Sequence, residues 1–239
     1  MSHLNELKIK LFMDGADVAS MREIAARHPF VKGFTTNPSL MRKSGVADYY
    51  AFAREALVIA GDLPISFEVF SDDFEEMERE ARVIASWGPN AFVKIPITNT
   101  QGISSCPLIE RLAADAIKIN VTAILSPKQV EETVLALCSA TPAIISVFAG
   151  RVADTGRDPM PLMRECVALL KAKPQAELLW ASPRELLNIF QADDAGCHII
   201  TITPDLIAKL NLVDKNLEEY SLETVQMFYR DACAAGLKL

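Results

Sequence analysis

The sequence predicts an α/β chain folded as a single (β/α)8 (TIM) barrel with a C-terminal helical extension. Three observations predict it. Eight short, apolar or β-branched runs recur along 239 residues. Longer amphipathic stretches separate them, which implies parallel pairing through helical crossovers. Polar and charged side chains gather at the C-terminal ends of the runs, where barrels of this kind place their chemistry. An open doubly wound sheet is the alternative, disfavoured because no G-x-G-x-x-G turn follows the first run.

The runs cover residues 9–13, 31–35, 65–70, 91–97, 119–124, 143–148, 177–181 and 198–203. Each is rich in Ile, Val, Phe or Leu and has the length of a strand. Among the intervening stretches, residues 49–60 form one amphipathic helix. Residues 72–87 form another, with Met77, Ala81, Ile84 and Ala85 on one face. Its acidic opening, Asp72 and Asp73, faces the positive end of the helix dipole. Ser126 before Pro127 reads as an N-cap with proline in the first turn, and Glu131 and Glu132 then face solvent. Pro204 and Asp205 open a helical segment at 206–210, and residues 218–235 form a terminal helix. Asn37-Pro38-Ser39 taken alone reads as a turn leading into the next helix. The expected organisation is one domain over residues 1–239: a barrel over about 8–212 and a helical segment over about 213–239.

Half of the residues are hydrophobic, and the formal net charge is -7. That balance argues against nucleic acid or an anionic membrane as partner, though not against an anionic small molecule. The five cysteines, Cys106, Cys138, Cys166, Cys197 and Cys233, form no C-x-x-C pair, which fits a reducing cytoplasm. Histidine is scarce (His3, His28, His198), so neither a metal site nor a cofactor is expected. His198 beside Cys197 reads as strand filler. Residues 1–10 lack the apolar core of a signal peptide, and no run approaches the roughly 20 apolar residues of a membrane span.

Lys94 lies inside the apolar run Val93-Lys94-Ile95-Pro96-Ile97. A buried ammonium is costly unless it is paired or loses its proton. A neutral lysine is a nucleophile toward carbonyl carbon, the first step of Schiff-base chemistry. Around it the run ends supply Asp14, Thr35-Thr36-Asn37, Glu68, Asn120 and Thr122, and Ser146. Singly these have ordinary readings: Asp14 as a turn residue, Thr122 as a strand threonine, Glu68 pointing outward if the register shifts by one. Together, an amine, two carboxylates, hydroxyls and an amide at one barrel mouth suit carbonyl chemistry without a metal. Gly150-Arg151 and Ser182-Pro183-Arg184 add two guanidinium groups and a hydroxyl, which match phosphate oxygens in geometry and charge. Arg157, between Asp154 and Asp158, reads as structural.

Phe34-Thr35-Thr36-Asn37-Pro38-Ser39-Leu40, Val93 through Thr98, Asn120-Val121-Thr122 and Ile202-Thr203-Pro204 resemble the signatures of the transaldolase family, specifically its short members, which include the fructose-6-phosphate aldolases. The resemblance implies Lys94 as the Schiff-base lysine and Asp14 as the general acid/base. It implies that Glu68 and Thr122 position a catalytic water. Asn37 and Ser146 would hold the dihydroxyacetone portion, Thr36 and Phe148 would join them in binding substrate, and Arg151, Ser182 and Arg184 would bind the phosphate. The implied activity moves a dihydroxyacetone unit from fructose 6-phosphate or sedoheptulose 7-phosphate to an aldose phosphate, in the cytoplasmic pentose phosphate pathway. Glu68, where the aldolases carry glutamine, and Phe148, where they carry tyrosine, favour transfer. The alternatives are a lyase releasing free dihydroxyacetone and a non-catalytic sugar-phosphate binding protein. The resemblance also implies a homo-oligomer, up to a decameric ring, with the C-terminal helix reaching a neighbour.

Overall fold

The computed structural model describes residue 4 and residues 6–236. His3 and the outermost residues of both termini lie outside the described residues.

Eight parallel strands close into a barrel in sequence order: β1 (Lys10–Asp14), β2 (Val31–Thr35), β3 (Ile65–Glu68), β4 (Ala91–Pro96), β5 (Ile119–Ile124), β6 (Ala143–Val147), β7 (Ala176–Trp180) and β8 (Ile199–Ile202), with β8 returning to β1. The helices between them are α1 (Val18–Arg27), α2 (Pro38–Lys43), α3 (Tyr49–Ala60), α4 (Phe74–Ala85), α5 (Cys106–Ala114), α6 (Pro127–Ala136), α7 (Ala149–Asp154), α8 (Pro159–Leu169) and α9 (Leu187–Asp194). After β8 come α10 (Pro204–Ala208), a 3-10 turn (Lys209–Leu212) and α11 (Leu217–Ala234).

Side chains alternate between the two faces of each strand. One set packs outward against the helices in a large apolar layer that includes Met13, Phe34, Phe67, Val93, Val121, Ile145 and Trp180. The other set fills the barrel: Phe12, Phe92, Ile144, Leu179, Ala181 and Ile199 form a separate interior cluster. Gly33 belongs to the interior too. A Cβ there would lie 2.5 Å from the Phe12 ring, so the aromatic takes the space a β2 side chain would need. The interior parity carries upward from Phe12 to Asp14, from Gly33 to Thr35, from Phe92 to Lys94, from Ile144 to Ser146 and from Ile199 to Thr201. The mouth is thus an extension of the packed interior.

Helix starts follow the capping signals. Ser126 and Gln129 form a reciprocal capping box at α6. Asp73 caps α4, accepting from Glu75 N and Glu76 N. Asp72 does not join it; its carboxylate accepts instead from the backbone and hydroxyl of Thr100 in the loop after β4. Asn37-Pro38-Ser39 leads directly into α2, with Asn37 as its N-cap. β5 contains an irregularity between Val121 and Ile124, where Ala123 takes a positive φ of 62°. Such bulges re-aim neighbouring side chains.

No residue of α11 is buried, and Leu217, Tyr220, Leu222, Val225, Phe228 and Tyr229 are exposed along it. No helix among the described residues is long and apolar enough to cross a membrane. The five cysteines are unpaired thiols. His198 ties the start of β8 to β7, its Nδ1 accepting from Leu178 N at 3.0 Å.

Candidate active site

A cavity of about 400 Å³ opens at the C-terminal ends of the strands. Asp14, Thr35, Asn37, Glu68, Lys94, Thr122, Ser146, Phe148, Arg151, Ser182 and Thr201 are among its lining residues.

Lys94 is 6% exposed. Its Nζ donates to the Thr36 carbonyl oxygen at 3.0 Å and stands 3.3 Å from Glu68 Oε2. The β3–β4 register pairs Glu68 with Lys94 directly, which fixes both side chains inward on neighbouring strands. Burial pushes the Glu68 carboxyl above the ordinary carboxylate range; the Lys94 ammonium pulls it back down in part, and the Asp14 charge adds to the rise. Asp14 is raised for the same first reason, desolvation, against the opposing pull of Lys94 and of a hydrogen bond from Thr35. Burial thus biases both carboxyls near Lys94 toward the neutral form.

Beneath Lys94 lies a buried hydrogen-bonded chain. Ser146 Oγ donates to Asn120 Oδ1 at 2.7 Å, and Asn120 Nδ2 donates to Ser66 Oγ at 2.9 Å. Asn120 is the β5 partner of Lys94 in the register. Two residues further along β5, the Thr122 hydroxyl is buried and bonds to no described protein atom. A buried hydroxyl left without a protein partner is costly unless a bound molecule satisfies it. Asn37 spends its carbonyl oxygen on capping, accepting from Leu40 N at 2.9 Å, which leaves its amide N–H groups for a ligand.

On the far rim, the Arg151 guanidinium lies over the Phe148 ring, 4.9 Å from its centroid. This contact carries Arg151 over the cavity from the short helix α7. Ser182 lies beside it, after the neighbouring strand β7, in a left-handed conformation with φ 62°.

Two expected site residues fall elsewhere. Thr36 has the outward parity: its hydroxyl is fully buried and donates to the Ser66 carbonyl oxygen at 2.8 Å. Only its backbone oxygen reaches the site, through Lys94. Arg184 does not line the cavity. Its guanidinium grips Asp154 with both Nε and Nη2, Nε at 3.0 Å from Oδ1, and the pair is about half exposed. Of the two acidic residues flanking Arg157, Asp154 pairs with Arg184 and Asp158 caps α8 through Met160 N. The other nine expected residues, Asp14, Asn37, Glu68, Lys94, Thr122, Ser146, Phe148, Arg151 and Ser182, all line one cavity. Thr35, named only as a polar residue at a run end and given no role, and Thr201, not singled out at all, line it as well. Strand parity was the available signal, since Thr35 follows inward Gly33 and Thr201 follows inward Ile199.

The sequence matches the family described as Transaldolase/Fructose-6-phosphate aldolase over residues 11–238. A protein of Herpetosiphon aurantiacus named "Probable transaldolase" is 34% identical over 223 residues, covering 92% of this chain and 96% of that protein. A "Probable transaldolase" of Roseiflexus castenholzii is 40% identical over 194 residues, covering 81% and 85%. Listeria monocytogenes has a "Probable transaldolase 2" at 35% identity over 216 residues, covering 89% and 94%. Among solved structures, the dihydrodipicolinate synthase of Rhodopseudomonas palustris superimposes with a TM-score of 0.57 at 13% identity, over 81% of this chain and 69% of that one. At that identity the likeness is one of fold.

Proposed function

The chain belongs to the transaldolase/fructose-6-phosphate aldolase family, and from the side chains gathered around Lys94 we propose that it is a transaldolase working through a Schiff base. The observation that carries the reading is the buried Lys94 amine, held 3.3 Å from Glu68 at the floor of a cavity that Asp14 and Thr122 also line.

In the proposed reaction the Lys94 amine attacks the C2 ketone of a ketose phosphate such as fructose 6-phosphate. Glu68 and Thr122 hold the water through which protons pass as the carbinolamine loses hydroxide to form the iminium. Asp14 takes the C4 hydroxyl proton as the C3–C4 bond breaks, and the electron pair of that bond moves into the iminium to form an enamine. Glyceraldehyde 3-phosphate leaves. The three-carbon enamine then adds to an aldose phosphate such as erythrose 4-phosphate, with Asp14 returning its proton to the new hydroxyl. Hydrolysis of the iminium releases sedoheptulose 7-phosphate and restores Lys94. Asn37 and Ser146 bind the hydroxyls of the retained unit. Arg151 and Ser182 bind the phosphate of donor and acceptor in turn, and Arg184 joins them only on exchanging Asp154 for the phosphate.

Phe148 supports transfer over release. Release of free dihydroxyacetone requires a proton on the enamine carbon, and a phenyl ring on that wall has none to give. Location in the cytoplasm fits five unpaired thiols. The apolar surface of α11 suits contact with another copy of the chain.

Borohydride reduction in the presence of fructose 6-phosphate tests the reading. Mass spectrometry is expected to find a three-carbon adduct on the peptide containing Lys94. An adduct on another lysine, or none, ends it. Turnover without an acceptor, read as free dihydroxyacetone, separates the lyase alternative.

A further inference from the structure

Two buried hydroxyls stand beside Asp14. Thr35 Oγ1 donates to Asp14 Oδ1 at 2.7 Å, and Thr35 Oγ1 lies 2.6 Å from Thr201 Oγ1. A hydroxyl has one proton to give. When Asp14 is ionised, as it is when it acts as the base, Thr35 gives its proton to Asp14, so the second contact runs from Thr201 to Thr35. The chain of donors is therefore directed: Thr201 to Thr35 to Asp14. It draws on the strands either side of β1, since β1 pairs with β2 and with β8, and Asp14 is in register with Thr35. Both threonines are buried, and both line the cavity with Asp14.

We propose that Thr201, acting through Thr35, is a positioning residue that aims the Asp14 carboxylate for proton transfer. The inference rests on the role of Asp14 in the transaldolase reading. The donor chain takes Oδ1 and so leaves Oδ2 as the oxygen that accepts the substrate proton. With Thr201 supplying a proton, Thr35 is locked in the rotamer that donates to Asp14. Without it, Thr35 can turn and donate elsewhere. The β-methyl of Thr201 restricts χ1 and holds its own hydroxyl in place. The charged groups facing Asp14 are Lys94 from β4 and Glu68 from β3, with Arg151 on the rim. β2 and β8 present only the two hydroxyls. Asp14 is desolvated, which disfavours its ionised form, and the Thr35 hydrogen bond works against that effect.

The test is a carboxyl-carbon NMR titration of the full chain, with Asp14→Asn to assign the signal, alongside the pH profile of kcat. In Thr201→Val the Asp14 midpoint is expected to move to higher pH, because a weakened hydrogen bond stabilises the carboxylate less. Thr35→Val is expected to move it further, and Thr35→Ser to return it toward the starting value. In turnover, Thr201→Val should lower kcat by about tenfold with KM nearly kept, and shift the acid limb in the same direction. Should the valine variant misfold, Thr201→Ala with Thr201→Ser as its control reads the same midpoint. A midpoint and acid limb unmoved by loss of the Thr201 hydroxyl, with only a lower Tm, overturns the proposal. Absence of turnover in the unaltered enzyme counts instead against the transaldolase reading, because the titration needs no substrate.

Discussion

Lys94 Nζ and Glu68 Oε2 stand 3.3 Å apart on adjacent strands paired at these two positions. The pair is mutual protection: each charge is buried and each is the other's nearest counter-ion. Breaking one half leaves the other exposed to the full cost of burial. In Lys94→Met, turnover and the borohydride adduct are expected to vanish. Asp14 and Glu68 also lose the cation that lowers both, so their protonated forms become still more favoured. A carboxyl whose folded pKa is raised contributes stability below its ordinary value and loses it as pH rises through the folded value. The Tm deficit of Lys94→Met should therefore be small near pH 4 and grow above neutrality. Thermal scans across pH check this; a deficit that shrinks as pH rises contradicts it.

Glu68→Gln keeps the shape and removes the charge. With the glutamine in place Lys94 keeps a hydrogen-bond partner but loses the carboxylate that exchanges protons with it. The ratio of free dihydroxyacetone to transferred product is expected to rise at least several-fold, measured in one vessel with and without erythrose 4-phosphate. An unchanged ratio removes Glu68 from the choice between transfer and release.

Arg151 and Arg184 should behave differently, although both follow a strand end. Arg151 is seated on Phe148 over the cavity, whereas Arg184 is engaged with Asp154 in an exposed pair. Exposed pairs contribute under about 1 kcal/mol, so the Arg184–Asp154 contact adds little to stability. Arg151→Ala is expected to raise KM for phosphorylated donors roughly tenfold or more, since a charge-assisted contact is worth about 1.5–3 kcal/mol. Arg184→Ala should cost less, and Asp154→Asn should tighten phosphate binding by freeing Arg184. Equal KM effects at both arginines would show that Asp154 gives up its partner at no cost.

These contrasts mark the limits of what the residues disclose before folding. The eight strands are legible because β-branched runs bounded by helices have little else to become, and the observed bounds stay close to residues 31–35, 91–97 and 119–124. Lys94 and Glu68 are legible because charges inside apolar runs must be explained. Thr36 is misassigned because a strand-end pair of threonines offers two hydroxyls, and only the parity fixed by Gly33 against Phe12 selects Thr35. The engagement of Arg184 with Asp154 is hidden in the sequence because the partner lies 30 residues away, on the far side of β7. The helix α7 escapes notice at six residues, too short to repeat an apolar stripe. The longer α8 buries only Pro159, Met160, Met163 and Cys166, a narrow face against the barrel.

The exposed α11 makes an assembly prediction. An 18-residue helix with no buried residue gains nothing from packing on its own barrel. Its Leu217, Val225, Phe228 and Tyr229 need another surface. Analytical ultracentrifugation is expected to find an oligomer for the full chain and a smaller species when residues 216–239 are removed. A monomeric full chain would contradict this.

Gly150 and Ser182 couple the phosphate rim to the backbone. A Cβ on Gly150 would fall 1.5 Å from the Ser182 carbonyl oxygen and 2.6 Å from its carbonyl carbon. Those are backbone atoms, so no side-chain rotation relieves the clash. Ser182 already holds a positive φ, and Gly150 N donates to Ala181 O at 3.3 Å, so the two loops are tied where the clash would occur. Gly150→Ala must push the β7–α9 loop away from α7, separating Ser182 from the adjacent Arg151. Overpacking of this kind costs about 1–3 kcal/mol or more. The variant is expected to fold with a lowered Tm, to keep forming the Lys94 adduct with unphosphorylated dihydroxyacetone, and to lose affinity for phosphorylated donors. Comparing adduct yield with KM for fructose 6-phosphate separates the two effects, and an unaltered KM would show that the rim does not depend on this contact.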